Sequence, residues 1–126
     1  LYIPSFAAGW IIDWNSHDLG RILSRYSERV VINSPYAKLY SQGGQLKGKT
    51  ELREYWREAL RRRPKLKFEL LETFAGYNSA TIVYRDETSK RIAETFVFDD
   101  AGLIAVTSAC VSVKDEKDRQ ADPTRG

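Results

Sequence analysis

The chain has 126 residues, 42% of them apolar, with 20 basic and 17 acidic side chains for a formal charge of +3. That leaves room for one domain around one core, and the interspersed charges read as a solvated surface rather than a polyanion-binding stripe, so nucleic acid is not the expected partner. One cysteine and one histidine exclude an internal disulfide and a protein-only zinc cage, and without a membrane-length apolar run or signal-peptide features the expected location is the cytoplasm.

Pro4 suits the first turn of a helix from about Ser5 to Ser16, in which Phe6, Trp10, Asp13, Trp14 and His17 share one side at three- and four-residue spacings. Asp18 is placed to cap a second helix, with Leu19, Ile22, Leu23 and Tyr26 at helical spacing until Glu28. Val30 to Asn33 reads as a strand stopped by Ser34-Pro35, and Gly43-Gly44 and Gly48 mark turns. A third helix is expected from about Thr50, its cap, to Arg62, with Pro64 ending it and Leu52, Tyr55, Trp56 and Leu60 facing inward. Its basic end, Arg61-Arg62-Arg63 with Lys65 and Lys67, could bind phosphate or simply complement the helix dipole, and the second is the expected reading.

The period then changes to two, over Lys65 to Ala75, Ala80 to Asp86, Arg91 to Phe98 and Ile104 to Val113, with turn signals between the segments. Consecutive antiparallel hairpins after three helices predict a single α+β domain over residues 1–113, its helices covering one face of a curved, mainly antiparallel sheet and a cavity between the layers. In the last segment Ile104, Val106 and Cys110 alternate with Ala105, Thr107, Ala109 and Val111, and either set could face inward. A sheet apolar on both sides predicts a homodimer through its outer face. Residues 114–126 are charged, contain Pro123 and read as a disordered tail; with no methionine at all, the sequence reads as starting after its initiator.

Glu94 falls on the same strand face as Ile92, Phe96 and Phe98, where a carboxyl needs a partner, water or its proton. It is the candidate acid-base residue, and equally a candidate structural glutamate bonded to Tyr26 or Trp10 or paired with Arg85. Trp10, Trp14, Tyr26, Tyr36, Trp56, Phe68, Tyr84 and Phe96 are candidate walls of an aromatic cup suited to a flat apolar ligand bearing a carbonyl or hydroxyl, although each could be ordinary core. Asp13 and His17 have the four-residue spacing of a helix dyad, but His17 lies at the helix end, where a turn role is expected. Cys110 reads as a packed or interface-facing thiol. No phosphate-cradling glycine loop or serine nucleophile elbow occurs, so no nucleotide or other cofactor is expected, and no metal.

Four stretches, Trp14-Asn15-Ser16-His17-Asp18-Leu19, Tyr26 to Pro35, Gly48 to Trp56, and Phe96-Val97-Phe98-Asp99-Asp100-Ala101-Gly102, resemble the SnoaL-like branch of the nuclear transport factor 2-like superfamily. That superfamily includes ketosteroid isomerases and polyketide cyclases, and the resemblance spans about Phe6 to Val113. It implies a cone-shaped α+β barrel with a pocket at the open end, commonly dimeric through the outer sheet face; one scaffold of this kind hosts many activities. Ketosteroid isomerases pair a general-base carboxylate with an oxyanion hole of a tyrosine and a protonated carboxylic acid. Here the base position falls on Ser34, with Asn33 beside it, and the oxyanion tyrosine position falls on Trp10. The supporting tyrosine positions fall on Tyr26 and Trp56, and Glu94 matches the buried acid. The resemblance therefore implies a pocket for a small apolar or polycyclic carbonyl-bearing ligand, with isomerase, cyclase or dehydratase chemistry through one carboxyl, and argues against ketosteroid isomerase activity itself. The alternative is a non-catalytic ligand-binding or dimerisation module.

Overall fold

The computed structural model describes residues 1–39 and 42–113, so the tail expected at 114–126 lies outside the described residues. Helix α1 spans Ile3–Ser16, with Pro4 in the first turn, where a missing N–H costs nothing. Its buried side chains, Phe6, Ala7, Trp10, Ile11, Asp13 and Trp14, form one stripe. His17 ends the helix at a left-handed φ of 60°, and its Nε2–H donates to the Leu66 carbonyl at 2.8 Å; a carbonyl only accepts, so that nitrogen carries the proton.

Asp18 caps the next helix as expected, accepting from the Arg21 N–H at 3.1 Å, but α2 covers only Leu19–Leu23 and does not run on to Glu28. The chain instead enters strand β1, Tyr26–Asn33, which moves Tyr26 from helix to strand. Pairing outweighs the local helical spacing: Tyr26 lies opposite Ile104, the Ile104 N–H donates to the Arg25 carbonyl at 2.9 Å, and Val30, Val31 and Ile32 suit a pleated surface. Strand β2, Gln45–Lys47, returns antiparallel to β1 and feeds α3, Gly48–Arg62. Thr50 does not cap α3. Gly48, at φ 82°, makes the entry, and the Glu51 carboxylate accepts from the Lys47 N–H at 3.3 Å, which leaves Thr50 already inside the first turn.

Four strands follow, each antiparallel to the next: β3 (Glu69–Gly76), β4 (Ser79–Arg85), β5 (Arg91–Phe98) and β6 (Ile104–Val111). Strand structure starts at Glu69 and not at Lys65 because the preceding residues are pinned to the end of α1. The Asn15 amide accepts from the Phe68 N–H at 2.7 Å and donates to the Phe68 carbonyl at 2.9 Å. β6 also pairs in parallel with β1, giving a six-stranded mixed sheet in the order β2-β1-β6-β5-β4-β3. The three helices pack on one face of it. This is the expected α+β architecture, with the sheet left open at β2 and β3. In β6 neither alternating set faces inward as a whole: Ile104 and Thr107 are buried while Val106, Ser108 and Cys110 are exposed. A register shift beside Val97 and Phe98 in the β5–β6 ladder breaks the alternation after Ile104. Among the described residues no helix is long and apolar enough to cross a membrane.

The junction of α1, α2 and β1 is held by two arginines gathered on the buried Asp13. Asp13 accepts from Arg25 Nε at 2.6 Å and from Arg21 Nη2 at 3.0 Å, so it is committed to arginines and forms no dyad with His17. The Arg25 guanidinium also lies 5.8 Å over the Phe6 ring, and it occupies the space that a Cβ at Gly9 would need. Removing the carboxylate charge leaves two guanidiniums without their counter-ion. Asp13→Asn is therefore expected to lower stability by about 2 kcal/mol, read as a lower urea midpoint at unchanged slope; an unchanged midpoint would mean that the cluster contributes nothing.

Candidate functional site

β5 alternates Ile92, Glu94, Phe96 and Phe98 inward, and the helices close over that face, so Glu94 is only 7% exposed. Ile82 of β4 and Ala109 of β6 lie directly opposite Glu94, while Tyr84 is its diagonal neighbour on β4. The Tyr84 hydroxyl donates to Glu94 Oε1 at 2.8 Å. Burial pushes the Glu94 pKa up and the hydroxyls of Tyr84 and Thr107 pull it partly back, leaving it at about 7. Of the two, Tyr84 holds the carboxyl, since Thr107 Oγ1 has no partner of hydrogen-bond geometry. Arg85 points the other way and pairs with Glu69. Trp10 Nε1 donates to the Tyr26 hydroxyl at 2.9 Å and not to Glu94. Burial, with the nearby Glu94 charge, raises the Tyr26 phenol, and the same causes raise Tyr84.

Beside Glu94 lies a cavity of about 100 Å³. Trp10, Trp14, Trp56, Phe68 and Tyr84 form its aromatic side, and Ser34 and Tyr36 reach it from the end of β1. The rings pack on one another: Trp10 stacks on Phe68 at 5.8 Å, Phe68 meets Tyr84 at 4.6 Å, and Trp14 meets Trp56 edge-on at 4.9 Å. Tyr26 and Phe96, expected as walls, are fully buried behind this layer and support Trp56 and Trp10. Tyr55 and Ala59 of α3 and Arg63 at its C-cap also line the cavity, together with Leu66, Asp86 and the strand residues Ile32, Ile92 and Ala109. The helical spacing from Trp56 to Ala59 and Arg63, and the period of two from Tyr84 to Asp86, are the signals by which the sequence could have placed them.

Asp86 brings a second carboxyl to the cavity wall, but its oxygens are taken. Oδ1 accepts from Thr88 N, Thr88 Oγ1 and Lys90 N at 2.8, 2.7 and 3.0 Å, and Oδ2 accepts from Arg63 Nη2 at 3.2 Å. It anchors the β4–β5 turn. Arg63 also bonds Glu87, and Arg61 and Arg62 both pair with Glu58, so each arginine of the basic run has a carboxylate beside it. Among the described residues no group of three or more His, Cys, Asp and Glu side chains gathers as a metal site.

A carboxyl that keeps its proton to about pH 7 in the folded protein, against an ordinary 4.5, makes the folded state the better proton binder between those values. Stability therefore falls as pH rises through that window and stays lowered above it. Across pH 5 to 9 the wild type should lose about 3 kcal/mol relative to Glu94→Gln, which has no charge to bury. Urea midpoints of the two proteins against pH check this; parallel curves would mean that Glu94 titrates as an ordinary carboxyl.

The sequence matches the SnoaL-like domain family over residues 7–112. The fold is similar to that of a SnoaL-like protein of unknown function from Burkholderia thailandensis, 36% identical, with a TM-score of 0.83 over 87% of this chain and 93% of that one. It is also similar to an NTF2-like protein of unknown function from Cytophaga hutchinsonii, 13% identical, with a TM-score of 0.70 over 89% of this chain and 91% of that one. A third similar structure is SalBIII, an epoxide hydrolase/cyclase-like enzyme with a role in pyran ring formation in the polyether salinomycin, 15% identical, with a TM-score of 0.67 over 89% of this chain and 92% of that one. Among curated proteins nothing matches the sequence. With the family matched from the first helix to the last strand, the chain belongs to the SnoaL-like domain family.

Proposed function

We propose that this protein binds a small carbonyl- or hydroxyl-bearing molecule in the aromatic cup and that Glu94 exchanges a proton with it. The observation that carries this reading is a buried carboxyl, ionising at about pH 7, on the wall of a cavity that has one aromatic side. Neutral Glu94 can donate to a carbonyl oxygen, and its anion can accept a proton from an adjacent carbon or hydroxyl. Ser34 and Asn33 supply no carboxylate, and Asp86 is held by four hydrogen bonds, so one group serves as both acid and base. That suits isomerisation, dehydration or an enol-assisted ring closure better than chemistry needing a second base. At about 100 Å³ the cup has room for a single ring, so it receives the reacting end of a ligand and not a whole polycyclic skeleton. The reading is cytoplasmic, in keeping with the exposed free thiol of Cys110.

Cyclopentanone in D₂O tests it. Protein-dependent loss of the α-proton NMR signals should rise with pH through a midpoint near 7 and fall at least about 100-fold in Glu94→Gln. Ligand binding with no exchange in either protein would leave the non-catalytic pocket as the answer.

The outer sheet face supports a second element of the reading, self-association. Phe74, Val97 and Val106 are 49%, 41% and 38% exposed there, with Thr81, Thr95 and Ser108 between them. Two copies of this chain pairing by that face would cover it. Light scattering at micromolar concentration should give a dimer, and Val97→Lys a monomer; a monomeric wild type would end this part of the proposal.

A further inference from the structure

The aromatic cup shares two of its wall residues with a separate opening in the sheet. β1 and β6 run side by side only as far as the Asn33–Ser108 pair, after which Ser34-Pro35 turns the chain away while β6 continues. The space left beside β6 is a groove of about 260 Å³ between Asn33, Ser34, Gly43, Gly44, Ser108 and Ala109. Ser34 and Ala109 line both this groove and the cup. The cup alone falls below the ~300 Å³ at which small-molecule sites begin, and the two volumes together exceed it.

We propose that the groove is a second subsite of the same site, taking a neutral, hydroxyl- or carbonyl-bearing arm of an elongated ligand whose reacting end lies in the cup. This rests on the cup binding a ligand as argued above. The chemistry of the arm follows from the wall. Among the described residues no charged side chain lines the groove, so an ionic arm would lose its hydration without a counter-ion from them. The Asn33 amide is committed, donating to the Thr107 carbonyl at 3.1 Å and accepting from Gln45 Nε2 at 2.8 Å, and so acts as a fixed wall. Ser34 Oγ accepts from the Tyr36 N–H at 3.2 Å, which leaves its own proton to give to a ligand oxygen. Gly43, at φ 81° with open space where a Cβ would stand, keeps one side of the groove clear.

Three probes separate the possibilities: phenol, 4-(3-hydroxypropyl)phenol and its isostere 4-butylphenol, titrated calorimetrically and by the indole N–H resonances of Trp10, Trp14 and Trp56 around the cup. The hydroxypropyl arm should tighten binding about 10-fold over phenol and exceed the butyl arm, the worth of a hydrogen bond plus some apolar contact. Ser108→Phe and Gly43→Asn, which enlarge the side chain at two residues lining the groove, should each bring the ratio of the two affinities to about one. A ratio near one in the wild type, a ratio kept in both variants, or a butyl arm that binds better would overturn the subsite. Phenol that moves none of the three indole resonances would instead overturn the cup reading on which it rests.

Discussion

The Trp10 indole joins the helical layer to the sheet, and the rest of the site depends on where it sits. Its ring stacks on Phe68 and meets Tyr84 and Phe96, so α1 is keyed to β4, β5 and the segment entering β3. Its N–H donates to the Tyr26 hydroxyl, which adds β1 to the same joint. A buried indole must satisfy both demands at once, apolar contact around the ring and an acceptor at one edge, and few placements of a helix over a sheet do so. That placement sets the depth of the cup beside Glu94.

The two carboxyls facing the cavity show how environment divides their roles. Asp86 receives two backbone N–H groups, a hydroxyl and a guanidinium, so its charge is fully compensated and it serves the turn. Glu94 receives one well-formed hydrogen bond in a ring-lined wall, so its charged form is the costly one and its proton is lost only at about pH 7. A buried ionisable group left short of partners is where stability gives way to chemistry.

Much of this was readable along the chain. The stripe on α1 and the alternation of Ile92, Glu94, Phe96 and Phe98 are local periodicities, and burial of Glu94 followed from them. The partner of Glu94 was not readable. Tyr84 stands diagonally across from it, and diagonal neighbours follow from the register between strands. Tyr26 was misplaced on a helix because Leu19, Ile22, Leu23 and Tyr26 have helical spacing, and only the ladder to Ile104 shows that the chain has already become a strand. Arg63 and Asp86 looked like a helix end and a turn residue, which they are; their place at the cavity appears only when α3 lies against the β4–β5 turn.

By itself the sequence determined the α+β class, the positions of β4, β5 and β6, one buried carboxyl and the aromatic material around it, because those depend on side-chain period and on the burial of apolar surface. The tertiary structure decided which rings face the cavity and which stand behind, which hydroxyl holds Glu94, how β6 is divided between its two faces and where β1 parts from it. These depend on register, on a bulge and on helix placement. Each is a relation between residues far apart in the chain, and no local pattern encodes it.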